Sequence, residues 1–273
     1  MPLPSSITAT LLLSHPAQID SEALCTALAA RIGPELGTLE CRTWRGAPLL
    51  SAPKAHVLVQ PRDLPLTGHR FDTALDSQLL DVLHEDPDSV IGQHRAAVTL
   101  SVGTGAEPSP SDTPPSPTQD VFDQLLILGH GAASQLAQQN ATLAVHWQQS
   151  GQFLSAERFA AMSRMLFPLP LFLHPRPEIR QDGRKAWLSL ELFGATELIG
   201  RSLRSAPAPV AFDWLAPRLF ALVSHLRADP GAADGGLTFA TAPGERFRLR
   251  EDADGGLTVH VEMKDGKLLP VAP

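Results

Sequence analysis

The sequence predicts an α+β fold built from two ferredoxin-like, antiparallel-sheet halves with helices packed on one face of each. Three observations carry that expectation. Residues 1–102 read in the order β-α-β-β-α-β, the order of a ferredoxin-like unit. Residues 103–118, GTGAEPSPSDTPPSPT, are low in complexity and too poor in apolar side chains to offset their own ordering entropy. Residues 119–273 then offer a second α+β arrangement of similar size, in the manner of a distant internal repeat. The low-complexity stretch reads equally as a linker between two domains or as a long loop inside one fold.

Each element of the first half has a local reason. Ile7 to Leu13 is an apolar run of strand length. Asp20 can cap the helix that follows, in which Leu24, Leu28 and Ile32 form one apolar stripe. Gly33-Pro34 then predicts the helix stop, with glycine in a left-handed position after the last turn. Thr38 to Trp44 and Ala55 to Gln60 read as strands. Phe71 to Leu83 has helical spacing, and Ala96 to Val102 is strongly β in character.

The second half opens on a helix, Gln119 to Gln139, with Val121, Phe122, Leu125, Leu126, Leu128 and Leu136 available for burial. Ala141 to Trp147 reads as a strand. Ser155 caps a short helix whose Phe159, Met162 and Leu166 are expected to face inward. Leu169 to His174 and Trp187 to Phe193 read as strands. Phe212 to Leu226 reads as the last helix, its regular turns beginning near Ala216 because Pro217 is awkward inside it. Leu237 to Thr241, Phe247 to Leu249 and Leu257 to Glu262 close the chain as a meander, with Asp254-Gly255-Gly256 as a hairpin turn.

Composition narrows the function classes. The 273 residues carry a formal net charge of -7, and the densest cation group, Arg246, Arg248 and Arg250, alternates along one predicted strand. A duplex-binding surface needs clustered cations to displace phosphate counterions, so nucleic acid is not an expected partner. No segment approaches the ~20 apolar residues of a membrane span. The run Leu11–Leu13 follows no basic stretch and is too short for a signal-peptide core, so the chain reads as cytoplasmic and without a membrane partner. Arginine outnumbers lysine 18 to 4, and with abundant Ala, Leu and Pro the usage resembles that of a GC-rich bacterial genome. Cys25 and Cys41, the two cysteines, read as small buried hydrophobes rather than as a redox pair.

The candidate motifs mostly have a simpler structural explanation. Gly129-His130-Gly131-Ala-Ala-Ser134 places glycines around a histidine, whereas a nucleophile elbow needs its serine between glycines on a strand-to-helix turn. Close helix packing explains it better. The ten histidines include no H-E-x-x-H or H-x3-H pair, so neither a metal nor a cofactor is expected. Asp252-Ala-Asp254-Gly255 opens like a calcium loop but lacks the later ligands, and reads as a turn. Gly103-Thr-Gly105 runs into prolines and acids, not into a lysine-bearing helix start, so no phosphate loop is expected.

Several segments of the second half bring a family into view. Leu143-Ala-Val-His-Trp147, Ser150-Gly151, Glu157-Arg-Phe159, Ser189-Leu-Glu-Leu-Phe-Gly-Ala-Thr-Glu197 and Asp234-Gly235-Gly236-Leu-Thr238 resemble bacterial domain-of-unknown-function family 4261. The likeness spans roughly residues 140 to 262, with weaker similarity at His94-Arg-Ala-Ala-Val98. His146 stands where that family often has an aromatic hydroxyl, and Ser189 where it usually has glycine. The resemblance implies a fold neighbourhood and no reaction.

These residues give the candidate functional surface: His146, Trp147, Glu191, Gly194 and Glu197. A histidine titrates near neutral pH and a carboxylate can orient it, so an acid-base pair is conceivable there. A core tryptophan beside a hydrogen-bonded histidine is the simpler account. The leading functional expectation is a non-enzymatic bacterial module that binds another protein, of immunity, adaptor or regulatory type. The alternative is an enzyme or small-ligand binder with a pocket near His146, Trp147 and Glu197.

Overall fold

In the computed structural model the described residues are 3–67, 71, 87–109, 116–183, 185–233, 238–243 and 245–262. Among them lie seven α-helices and thirteen strands in two sheets, an α+β fold. The chain divides into two units, residues 2–171 and residues 172–273.

The first unit is a seven-stranded antiparallel sheet in the order β2-β3-β4-β5-β1-β6-β7. Its strands are β1 (Ser6–Leu13), β2 (Glu40–Trp44), β3 (Ala47–Ala52), β4 (Ala55–Arg62), β5 (Ala96–Thr104), β6 (Thr142–Trp147) and β7 (Gln152–Ser155). Its helices are α1 (Ser21–Ala29), α2 (Pro87–Gln93), α3 (Gln119–Gln139) and α4 (Ala156–Met162), with the short α5 (Leu169–Phe172) at the boundary.

Local signals account for much of this. Asp20 caps α1 by accepting from the Ala23 amide at 2.9 Å, and Leu24 and Leu28 are buried. Ser155 caps α4 by accepting from the Arg158 amide. Other elements depart from sequence expectation. Helix α1 stops at Ala29, so Ile32 is outside it, and Gly33 is extended (φ -75°, ψ 161°) rather than left-handed. Pro34 instead opens a single 3-10 turn, where its fixed φ suits a first helical position.

Strand β3 was not expected, because Ala-Pro-Leu-Leu-Ser-Ala has no β-branched residue. It is held as a strand by two partners, β2 and β4. Leu169 to Phe172 is helical rather than extended; Pro170 falls in its first turn, where no amide is missed. Leu166 is 58% exposed and does not face inward. Of the helix expected over Phe71 to Leu83, only Phe71 belongs to the described residues, where it is buried.

The boundary between units lies at 171/172, not in the 103–118 stretch. Strand β6 pairs with β1 along Ala9 to Leu13, and α3 packs on β1 and β5. The segment from 119 to 171 therefore completes the first sheet instead of starting a second domain. Of the low-complexity stretch, residues 110–115 lie outside the described set.

The sheet buries both faces. On one, α3 lies close enough that a Cβ on Gly129 would sit 3.2 Å from Val102 Cγ2 and 3.3 Å from Trp147 Cη2. A Cβ on Gly131 would sit 2.8 Å from Leu28 Cδ2 of α1. The two glycines flanking His130 are thus packing contacts. On the other face Leu12, Ala97, Ala144 and Phe153 cluster with Leu66 and Phe71, flanked by Val90 and Ile91.

The second unit is a six-stranded mixed sheet in the order β11-β12-β13-β10-β9-β8. It comprises β8 (His174–Asp182), β9 (Lys185–Phe193), α6 (Ala195–Ile199), β10 (Leu203–Ser205), α7 (Phe212–Ala228), β11 (Thr238–Phe239), β12 (Arg246–Glu251) and β13 (Leu257–Glu262). β10 and β13 run parallel; the other pairs are antiparallel. The two units share neither strand number nor strand direction, so no internal repeat is visible.

Helix α7 begins at Phe212, earlier than Pro217 suggests, so that Pro217 stands inside it; burial of Leu215, Ala216 and Leu219 on either side offsets the proline's cost. Its Trp214 ring lies 5.6 Å from that of Phe247 on β12. The turn at Asp254-Gly255-Gly256 forms as the sequence indicates, with Gly255 left-handed (φ 81°) and the Asp252 amide bonding the Gly256 carbonyl at 2.8 Å.

Candidate functional site

Strand register sets out what surrounds His146. Cα pairing across five strands aligns Gln60 of β4, Thr99 of β5, Thr10 of β1, His146 of β6 and Phe153 of β7 in one row. Side chains directly opposite share a sheet face, so this row runs along the side that carries Leu12 and Phe153. The Phe71 ring meets the His146 imidazole edge to face at 5.4 Å, and Phe153 lies 6.4 Å away. Between aromatic walls the charged imidazolium loses hydration. Burial pushes His146 down to about 4. The ring is neutral at physiological pH, which suits a packed or hydrogen-bonding group more than an acid-base catalyst poised near 7.

Trp147 is fully buried on the opposite face, under Gly129 of α3. Adjacent residues of a strand point to opposite faces, so His146 and Trp147 do not share a surface. His130 is also fully buried, edge-on to Phe159 at 5.8 Å, and is pushed down to about 4, by burial first and by Arg31 second.

The remaining candidates belong to the second unit. Glu191 is exposed on β9, in register with Arg176 on one side and Arg204 on the other. Gly194 is left-handed (φ 87°) and turns the chain from β9 into α6; only glycine takes that conformation without strain. Glu197 sits in the first turn of α6, where burial raises its carboxyl above the usual range. His146 and Trp147 thus lie in residues 2–171, and Glu191, Gly194 and Glu197 in residues 172–273. Neither unit by itself contains all three residues of the expected pocket, His146, Trp147 and Glu197. The family-like segments at 143–147 and 189–197 fall on different sides of the same boundary.

Cys41 is exposed on β2 rather than buried, and Cys25 is half-buried, its thiol pushed up by burial and by Cys41. Among the described residues no group of three or more His, Cys, Asp or Glu could hold a metal ion, and no helix is long and apolar enough to cross a membrane.

Three polar features escaped the sequence reading. Arg218 lies over the Trp214 ring at 4.2 Å, donates to the Trp214 carbonyl at 2.7 Å and pairs with Glu245. Asp252 accepts from Thr258 and from Arg204 at 3.0 Å, bracing the β12–β13 turn. Strand β8 is a nine-residue edge with alternating charge, Arg176, Glu178, Arg180 and Asp182, and with Ile179 63% exposed. The alternation and the prolines at 175 and 177 were legible signals of an edge strand.

No protein-family model matches the chain, and neither a curated protein nor a solved structure matches it.

Proposed function

We propose that the chain is a non-enzymatic module that binds protein, and that the β8 edge of the second unit is the surface it uses. The observation that carries this reading is the exposed outer half of the β8–β9 ribbon, where a large aliphatic side chain, Ile179, stands 63% exposed among paired charges. A sheet edge offers main-chain donors and acceptors to an added strand, while alternate side chains select the partner. The neutral, aromatic-walled His146 supports a packing role in the other unit.

The test is affinity capture by the tagged full chain from its native host, run beside an Ile179→Pro variant. A stoichiometric protein retained by the unaltered chain and lost by the variant is the expected outcome. Repeated recovery of nothing, or equal recovery by both, sinks the reading.

A further inference from the structure

The geometry points to a second copy of this chain as the occupant of the β8 edge, paired antiparallel about a two-fold axis at Ile179. The inference rests on the protein-binding reading above and names its partner.

The direction of the backbone comes first. Asp182 pairs with Lys185 across a two-residue turn whose Gly183 is left-handed (φ 60°). In such a hairpin the closing residues exchange both main-chain bonds, and hydrogen-bonded pairs then alternate along the ladder. Asp182, Arg180, Glu178 and Arg176 therefore direct their amides and carbonyls at β9. The Ser189 hydroxyl accordingly donates to the Glu178 carbonyl at 3.5 Å. Pro175, Pro177, Ile179 and Gln181 face outward. Both prolines fall on outward positions, where the missing amide costs β9 nothing. Ile179 and Gln181 keep outward amides, and among the described residues β8 ends the sheet order.

The side chains come second. With Ile179 opposite its own symmetry mate, Arg176 falls opposite Asp182 and Glu178 opposite Arg180, twice each by symmetry. Every charge on that face meets its opposite. Moving the two-fold axis by one residue, to 178 or 180, sets Glu178 against Glu178 or Arg180 against Arg180. Like charges directly across a ladder destabilise it, so the alternation itself rejects these neighbouring registers. An axis at Pro177 would bring two amide-less residues together. The axis at Ile179 pairs residues 176 to 182 with their mates, and lets the Ile179 amide bond the partner's Ile179 carbonyl and the Gln181 amide bond the partner's Pro177 carbonyl. The contact is isologous, as most closed dimers are.

The same charges pair within the strand when the edge is free: Arg180 reaches Glu178 at 3.0 Å, with both side chains more than 60% exposed. Dimerisation exchanges these solvated pairs for cross-strand ones, so charge selects the register while the main chain and Ile179 provide the attraction.

Sedimentation velocity of the full chain over a concentration series tests this, with circular dichroism confirming that each variant is folded. The unaltered chain is expected to sediment as a dimer. Ile179→Pro, which leaves the β8–β9 ladder intact, is expected to weaken self-association by about tenfold or more. Glu178→Arg and Arg180→Glu should each do the same in part, since each sets like charges opposite one another. Mixing these two variants in equal amounts should restore a dimer, now a heterodimer, because every opposed pair is again complementary. A chain that stays monomeric throughout, a dimer indifferent to Ile179→Pro, or a mixture that fails to associate overturns the proposal. If the chain is monomeric yet captures a different protein in an Ile179-dependent way, the second copy is wrong and the protein-binding reading survives. If both fail, both readings fall.

Discussion

The Leu66 amide donates to Nε2 of His94 at 2.7 Å, while Nδ1 of the same ring lies 2.5 Å from the Ile91 carbonyl. An amide can only donate and a carbonyl can only accept, so His94 is the neutral tautomer with its proton on Nδ1. The ring is 1% exposed and ties the chain at Leu66 to the end of α2. His94→Phe keeps the volume but strands a donor and an acceptor. Chemical denaturation should show a loss of about 1–3 kcal/mol; an unchanged midpoint would remove this ring from the account of stability.

His146 and His130 should make the fold sensitive to mild acid. Each is pushed down to about 4, His146 by burial and His130 by burial and then Arg31, against an ordinary value of 6.5. A ring that binds its proton less readily folded than unfolded contributes full stability above pH 6.5. That contribution drains away as pH falls from 6.5 towards 4, by about 3 kcal/mol per ring at the lower end. Urea denaturation at pH 7 and pH 5 should record the fall, and His146→Phe should make it shallower. Titration of the His146 ring near pH 6.5 by NMR would contradict the burial argument.

The same substitution at two helical glycines should have opposite signs. Among the described residues nothing lies within 4 Å of a Cβ added at Gly92 of α2, whereas at Gly131 of α3 that Cβ meets the buried Leu28 at 2.8 Å. Alanine favours a helix over glycine by about 1 kcal/mol in the interior and less near an end. Gly92→Ala should therefore raise the melting temperature slightly. Gly131→Ala should lower stability by about 1–2 kcal/mol, since the buried Leu28 side chain must shift within a packed core. Equal effects at both sites would mean that helix propensity alone decides.

Glu245 joins α7 to the strands of the second unit by accepting from Arg218 and, at 2.6 Å, from Thr241. Burial would raise its carboxyl, but the hydrogen bonds from Arg218 and Thr241 outweigh it and hold the group below the usual range. The stability it supplies is present above its unfolded value and is lost as pH falls through the folded one. Glu245→Gln keeps the shape and removes the charge, and should cost about 1–2 kcal/mol near neutral pH. The deficit should shrink in strong acid; a deficit independent of pH would show that charge is not what the contact uses.

The candidate site was half legible. That His146 and Trp147 end a strand is written in their neighbours, and the period of two already separates their faces. Their relation to Glu197 was not legible, since nothing local states which unit a segment joins.

What the sequence determined by itself is local. Asp20 and Ser155 cap because their side chains reach amides three residues on. Asp254-Gly255-Gly256 turns because glycine tolerates positive φ. Ala96–Thr104 extends because its apolar and hydroxyl side chains alternate. Tertiary structure decided the rest. β3 and β8 contain prolines and few β-branched residues, and are strands because neighbours supply their hydrogen bonds. β6 lies beside β1, far along the chain, because that pairing buries Val145 and Trp147. Torsional preference is a property of a few consecutive residues, whereas pairing and burial depend on complementary surfaces that come together only on folding.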